Sequence, residues 1–177
     1  ITVHGGTINL NNSIASTLSG AAITFNATAD IYTSNTAKTI QTTNGDITLN
    51  ADSDASGAGV LNPDYTTYAA GTGTLTWRAH TVTWDITSNA TKPKLTGSQG
   101  AFVFESNAST FGQSINPTNW IVFPSTLTSL RVGKTTNTAD VTLTGTGISV
   151  AGPVTIYGGN ISVSADVTST VSGAAIN

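Results

Sequence analysis

ITVHGGTINLNNSIASTLSGAAIT, residues Ile1 to Thr24, returns near the other end of the chain as VTIYGGNISVSADVTSTVSGAAIN, residues Val154 to Asn177. The offset in numbering is 153 with no gap, and eleven of the 24 aligned pairs are identical, five of them consecutive from Ser19/Ser172 to Ile23/Ile176. Five of the other pairs exchange one aliphatic residue for another: Ile1/Val154, Val3/Ile156, Leu10/Val163, Ile14/Val167 and Leu18/Val171. Self-similarity at a fixed period is the mark of a repeat architecture. The reading is one full repeat, residues 1–153, followed by the start of the next, 154–177, as in a window on a longer repetitive protein.

A shorter unit lies inside the long one. AITFNATAD (Ala22 to Asp30) and DITLNADSD (Asp46 to Asp54) match at an offset of 24. Strand-like motifs, mostly apolar–polar–apolar triplets flanked by Gly, Asn, Asp or Ser, begin at Ile8, Ile23, Ile47, Leu75, Phe102, Val122, Val141 and Ile161. Such triplets read as short strands with turns between them. Together they mark seven steps, and the last start, Ile161, is the repeat equivalent of the first, Ile8. The expectation is a coiled β-solenoid of about seven strand-bearing turns, each stacked about 4.8 Å above the last, so that a repeat advances ~34 Å.

Composition supports an all-β chain. Only 8% of residues are charged, while 38% are hydrophobic and the net charge is −3. Disorder requires low hydrophobicity with high net charge, which is the opposite balance. Thr, Ser and Asn solvate a strand surface without charge. The six basic residues are scattered, so no clustered Lys/Arg footprint for nucleic acid exists. With no cysteine, disulfides and thiolate metal sites are excluded. No apolar run of ~18 residues is present, so no membrane-spanning helix is expected.

The middle third departs from this rhythm. Residues 61–123 hold all three tryptophans, four of the five phenylalanines and three of the five prolines. Extra residues in a solenoid usually form loops on one face. Longer loops are therefore expected within 54–118, around Asp54 to Thr74, Asn89 to Gly100 and Asn107 to Thr118. Thr74 to Thr87 reads as two longer strands carrying Trp77 and Trp84.

Three groups of residues could carry chemistry. Asp52-Ser53-Asp54-Ala55-Ser56-Gly57 fits the first half of a calcium loop, with Asp52, Asp54 and Ser56 as the candidate ligands and Gly for the tight turn. The twelfth position is Pro63 rather than a bidentate Glu, which favours a plain acidic turn. Trp77, Trp84 and Trp120 could stack sugars, although large aromatics in so uncharged a chain more often fill a core. Asp30 and Asp54 occupy equivalent places in successive units and could stack as a carboxylate pair, or diverge at a corner. His4 aligns with Tyr157, so a role there is not repeated; a half-buried ring near the Gly5-Gly6 corner is expected. No strained nucleophile turn accompanies the many serines.

The phrases GPVTIYGGNISVSADVTS, GDITLNADSD and LRVGKTTNTADVTLTGTGISVAGPVTIYGG resemble repeats of very large bacterial surface proteins. These are the filamentous-haemagglutinin-like adhesins and the giant repetitive adhesins of gliding Bacteroidota. The resemblance covers Leu130 to Asn177 and Ile1 to Asp54 well and Leu61 to Phe123 poorly. It implies a right-handed parallel β-helix stalk, secretion to the cell surface, and neighbouring repeats as the main partner, with glycans or abiotic surfaces as further ones. It carries over no catalytic residue, and no enzyme activity is expected. Two other readings stay open: tandem β-sandwich domains in a surface fibre, and a carbohydrate-binding or polysaccharide-acting β-helix module.

Overall fold

In the computed structural model, which describes residues 1–33, 35–84 and 90–177, the chain is a parallel β-solenoid. Every strand pairing among the described residues is parallel. A β-sandwich is built from antiparallel sheets, so that alternative falls. One short helix, Pro117–Trp120, is the only helix among the described residues. None is long and apolar enough to cross a membrane.

Each coil presents three faces. The first is a continuous seven-stranded sheet of Thr2–Gly5, Ile23–Ala27, Ile47–Asn50, Leu75–Arg78, Ala101–Glu105, Ser129–Val132 and Val154–Ile156. The second holds Ile8–Leu10, Ile31–Thr33, Val60–Asn62 and Thr81–Val82, then Val141–Leu143 and Ile161–Val163. The third holds Ile14–Ser16, Lys38–Thr42 and Thr66–Ala69, then Ile148–Val150 and Val167–Ser169.

The register of the first face counts the coils. Thr2 pairs with Thr24, and the ladder then runs through Thr48, Thr76, Val103 and Arg131 to Thr155. Six steps thus lead from Thr2 to its repeat equivalent Thr155, and the sequence-based count of seven is corrected. At about 4.8 Å per coil a repeat advances ~29 Å. The overcount arose because the triplets at Ile23, Ile47, Leu75 and Phe102 mark the first face, whereas Ile8, Val141 and Ile161 lie on the second and Val122 on the third.

Alternation along the strands builds the core. Ile23, Ile47, Leu75, Phe102, Leu130 and Val154 stack as one inward column, and Phe25, Leu49, Trp77, Phe104, Val132 and Ile156 as a second. Between them point the outward residues Thr24, Thr48, Val103, Arg131 and Thr155. This period-two division is what fixes the register, since a one-residue slip would turn each column out into water.

The corner leading into the first face is made by small residues. A Cβ on Gly45, Gly73, Gly100 or Gly152 would come within 2.2, 2.3, 2.1 or 1.7 Å of a backbone oxygen of the preceding coil. Successive corners therefore approach so closely that only glycine fits at these four positions. In sequence they precede the strand in one pattern, Gly-x-apolar-x-apolar, as in GDITL, GTLTW, GAFVF and GPVTI.

The middle third is wider rather than loopier. Its coils, from Thr48 to Thr76, Val103 and Arg131, are the longest of the repeat because their interior holds Tyr68, Trp77, Phe102, Phe104 and Phe111, all buried. Residues 54–74 contain two strands, Val60–Asn62 and Thr66–Ala69, and residues 107–118 send Phe111 and Ile115 into the core. The expected loops there are thus mostly wall. Of the expected long strands in Thr74 to Thr87, Leu75–Arg78 is one, and the other shortens to Thr81–Val82. Residues 85–87 and Asn89 lie outside the described residues.

Candidate functional site

The tryptophans face inward. Trp77 is completely buried, with Tyr68 and Phe102 edge-on to it, each at 5.1 Å. Trp84 and Trp120 are half-buried and stack on each other at 4.7 Å with an interplanar angle of 24°. Trp84 also lies 6.2 Å from Trp77, so the three rings form one cluster continuous with the core. Offset and edge contacts of this kind add about 0.5–1.5 kcal/mol per pair beyond burial. The indole Nε1 atoms of Trp77 and Trp84 are buried without a hydrogen-bond partner. A stacking platform for sugars needs open ring faces, and Trp77 offers none.

The acidic turn closes on itself. Asp52 is fully buried, and its carboxylate accepts hydrogen bonds from Ser56 Oγ at 2.9 Å and the Gly57 N–H at 3.1 Å. Asp54 is exposed and accepts from the Ser56 N–H, which holds its carboxyl below the usual carboxylate range. Ser56 is thus committed as a donor to both aspartates. A cation needs these oxygens converging on a common point, whereas here donors already fill the space between them. Among the described residues no cluster of three or more His, Asp or Glu side chains is placed to hold a metal.

Asp30 and Asp54 do not stack. The register of the short unit holds through Asn26↔Asn50, where the Asn50 side chain donates to Asn26 at 2.8 Å. Beyond it, the Asp52 N–H bonds to the Ala29 carbonyl and the chain swings outward. Asp30 instead accepts from the Val60 N–H at 2.8 Å and from the Tyr32 hydroxyl at 3.1 Å. His4 is exposed on the outer side of Thr2–Gly5 rather than half-buried, because strand alternation puts Val3 and Gly5 on the other side. His80 sits so close to Gly112 that a Cβ there would fall 2.2 Å from its Nε2.

Two features escaped the sequence reading. The first is an ion-pair staple. Glu105 accepts from Arg78 Nε through Oε1 and from Arg131 through Oε2, both at 2.8 Å, tying three successive coils together on the outer side of the first face. The second is a cleft on the third face. Its sheet thins to single bridges, Thr67↔Lys94 and Lys94↔Val122, and no pairing joins Val122 to Ile148–Val150 among the described residues. Where the ladder parts, a cleft of about 670 Å³ opens. Ile121, Val122 and Phe123 supply its apolar lining, and Lys92, Lys94, Thr96, Thr146 and Ser149 its polar lining. Residues from three coils meet there, so spacing along the chain could not have grouped them.

Comparison of the chain with protein-family models, with curated proteins and with solved structures finds no match.

Proposed function

We propose that this chain is a structural repeat of an extracellular bacterial adhesin or surface filament, acting as a stalk whose successive repeats stack into one rod. The observation that carries this reading is the reuse of hydrogen bonds one whole repeat further along the chain. The Ile1 amino group donates to the Ala22 carbonyl at 2.8 Å, and the Val154 N–H donates to Ala175 at 3.0 Å. Thr24 N–H to Ile1 and Asn177 N–H to Val154 repeat in the same way, at 2.8 and 2.9 Å. The bridge Val154↔Ile176 then continues the inward column as Ile23 does in the first coil. A repeat that hands on the same ladder to the next copy can extend without a linker, and stacking also covers the open strand edge that would invite aggregation.

In this reading the chain carries out no catalytic step. The self-bonded acidic turn and the inward tryptophans support a scaffold, since these two groups are spent on the fold. Surface exposure and bacterial origin rest on the resemblance of the repeat sequences. The test is to join increasing numbers of copies of residues 1–153 and image the products by electron microscopy. A rod that lengthens by ~29 Å with each copy supports the stalk; beads, or a step unrelated to six coils, sink it. Protease treatment of intact source cells gives the location, with protection of the native protein counting against it.

A further inference from the structure

We infer that the cleft on the third face binds a carboxylated sugar, a uronate unit of an acidic polysaccharide, so that the stalk itself adheres along its side. Around the cleft, Thr91, Pro93 and Leu95 are buried, and the alternation turns Lys92 and Lys94 outward on the same side. Both lysines line the cleft, and no described Asp or Glu does. The two arginines, Arg78 and Arg131, are both committed to Glu105. In a chain with only six basic residues and a net charge of −3, two neighbouring ammonium groups with no carboxylate among the described residues of their cleft are a local reversal of sign.

The rest of the lining fits a sugar better than a bare anion. Val122 is 49% exposed beside the lysines, which gives the C–H face of a pyranose ring an apolar surface. Thr96, Thr146 and Ser149 bring hydroxyls that can both donate and accept, as ring hydroxyls require. A cleft of about 670 Å³ lies in the range of small-ligand sites. Ammonium groups for the carboxylate, hydroxyls for the ring hydroxyls and one apolar surface are the three contacts a uronate offers. The tryptophan cluster takes no part, so this site is separate from the aromatic one expected from sequence.

The probe is a short oligogalacturonate, titrated calorimetrically at low salt against the whole chain, beside the same oligomer with its carboxyls methyl-esterified. The acid form should bind and the ester should bind about tenfold more weakly or not at all. Lys92→Gln with Lys94→Gln should lose about tenfold or more, while Lys134→Gln, outside the cleft, should bind as the parent does. Both cleft lysines point outward, so the double variant should keep the parent's circular dichroism and melting midpoint. Should it not, Val122→Glu provides the second variant, placing a repelling carboxylate beside the lysines without removing them. The inference is overturned by no binding of the acid form, by equal binding of the ester, or by unchanged affinity in both cleft variants. It is also overturned if a polyglutamate peptide binds as tightly as the oligogalacturonate, which would assign the cleft to charge alone.

Discussion

The first and third faces of the coil are made by the same chain at the same rise, yet one is an unbroken seven-stranded sheet and the other parts in the middle. Their interiors differ. The first face sends only apolar side chains inward, in two columns. The third sends Lys38, Thr42, Thr66 and Tyr68 inward, and each must find a partner at depth. Thr42 donates to the Gly45 carbonyl and Ser98 to the Tyr68 carbonyl, while Lys38 Nζ donates to the Thr36 carbonyl at 2.8 Å. Their corners differ as well, since the glycine column lies where the chain enters the first face. Close corners hold successive strands at ladder distance. The wide aromatic coils carry Gly73 and Gly100 at the corner into the first face, whereas on the third face their strands part and leave a cleft. Continuity in a solenoid is thus set at the corners as much as in the core.

Four substitutions test that contrast, in descending order of effect. Trp77→Ala, beneath the first face, removes the ring around which four other aromatic side chains pack and should cost about 4 kcal/mol, read by chemical denaturation. Gly100→Ala drives a methyl into the Gly73 carbonyl and should cost about 3 kcal/mol. A neutral result at Gly100 would show that the corners can relax and do not set the spacing. On the third face, burial pushes the Tyr68 hydroxyl well above its ordinary value. Below the unfolded-state value near pH 10, both states keep the proton and stability is unaffected. Above it the unfolded chain releases the proton first, so stability should fall by about 1.4 kcal/mol per pH unit. Tyr68→Phe should flatten that decline by the same amount, and an unchanged slope would show that the hydroxyl reaches water. Glu105→Gln breaks both ion pairs of the first-face staple; because the arginines are about a third exposed, it should cost only about 1 kcal/mol, and less at high salt.

Much of this architecture was legible in the chain because a solenoid converts sequence distance directly into space. The duplication of Ile1 to Thr24 at Val154 to Asn177 reported equivalent coils one repeat apart, the Asn26/Asn50 match reported true stacking partners, and every triplet except that at Val122 reported a true strand. What failed was assigning triplets to faces, since Val122 and Val141 look like Ile47 on the page yet stand on other walls. The Gly-x-apolar-x-apolar pattern does not separate them, because it precedes Ile8 and Ile161 on the second face as well as four strands of the first. Loops were overpredicted in 54–118 because residue number was read as excursion, when the aromatic side chains needed a larger perimeter. The acidic turn looked like ligand chemistry because sequence shows which oxygens are present but not which donors already satisfy them. The staple and the cleft were invisible for a simpler reason. Arg78, Glu105 and Arg131 each stand a full coil from the next, and no local pattern links them.

The succession of coil lengths has a mechanical corollary. The perimeter is smallest from Thr2 to Thr24, swells through the aromatic coils to Arg131, and narrows again to Thr155. The bridge from Val154 to Ile176 then restores the first, narrow coil. An array of such repeats is a rod with nodes, like a bamboo cane, one node every ~29 Å. Two such canes laid side by side touch at their nodes and stand apart at their waists. Their lateral contacts would come at discrete intervals, and a bundle of them would favour alignments shifted by whole repeats.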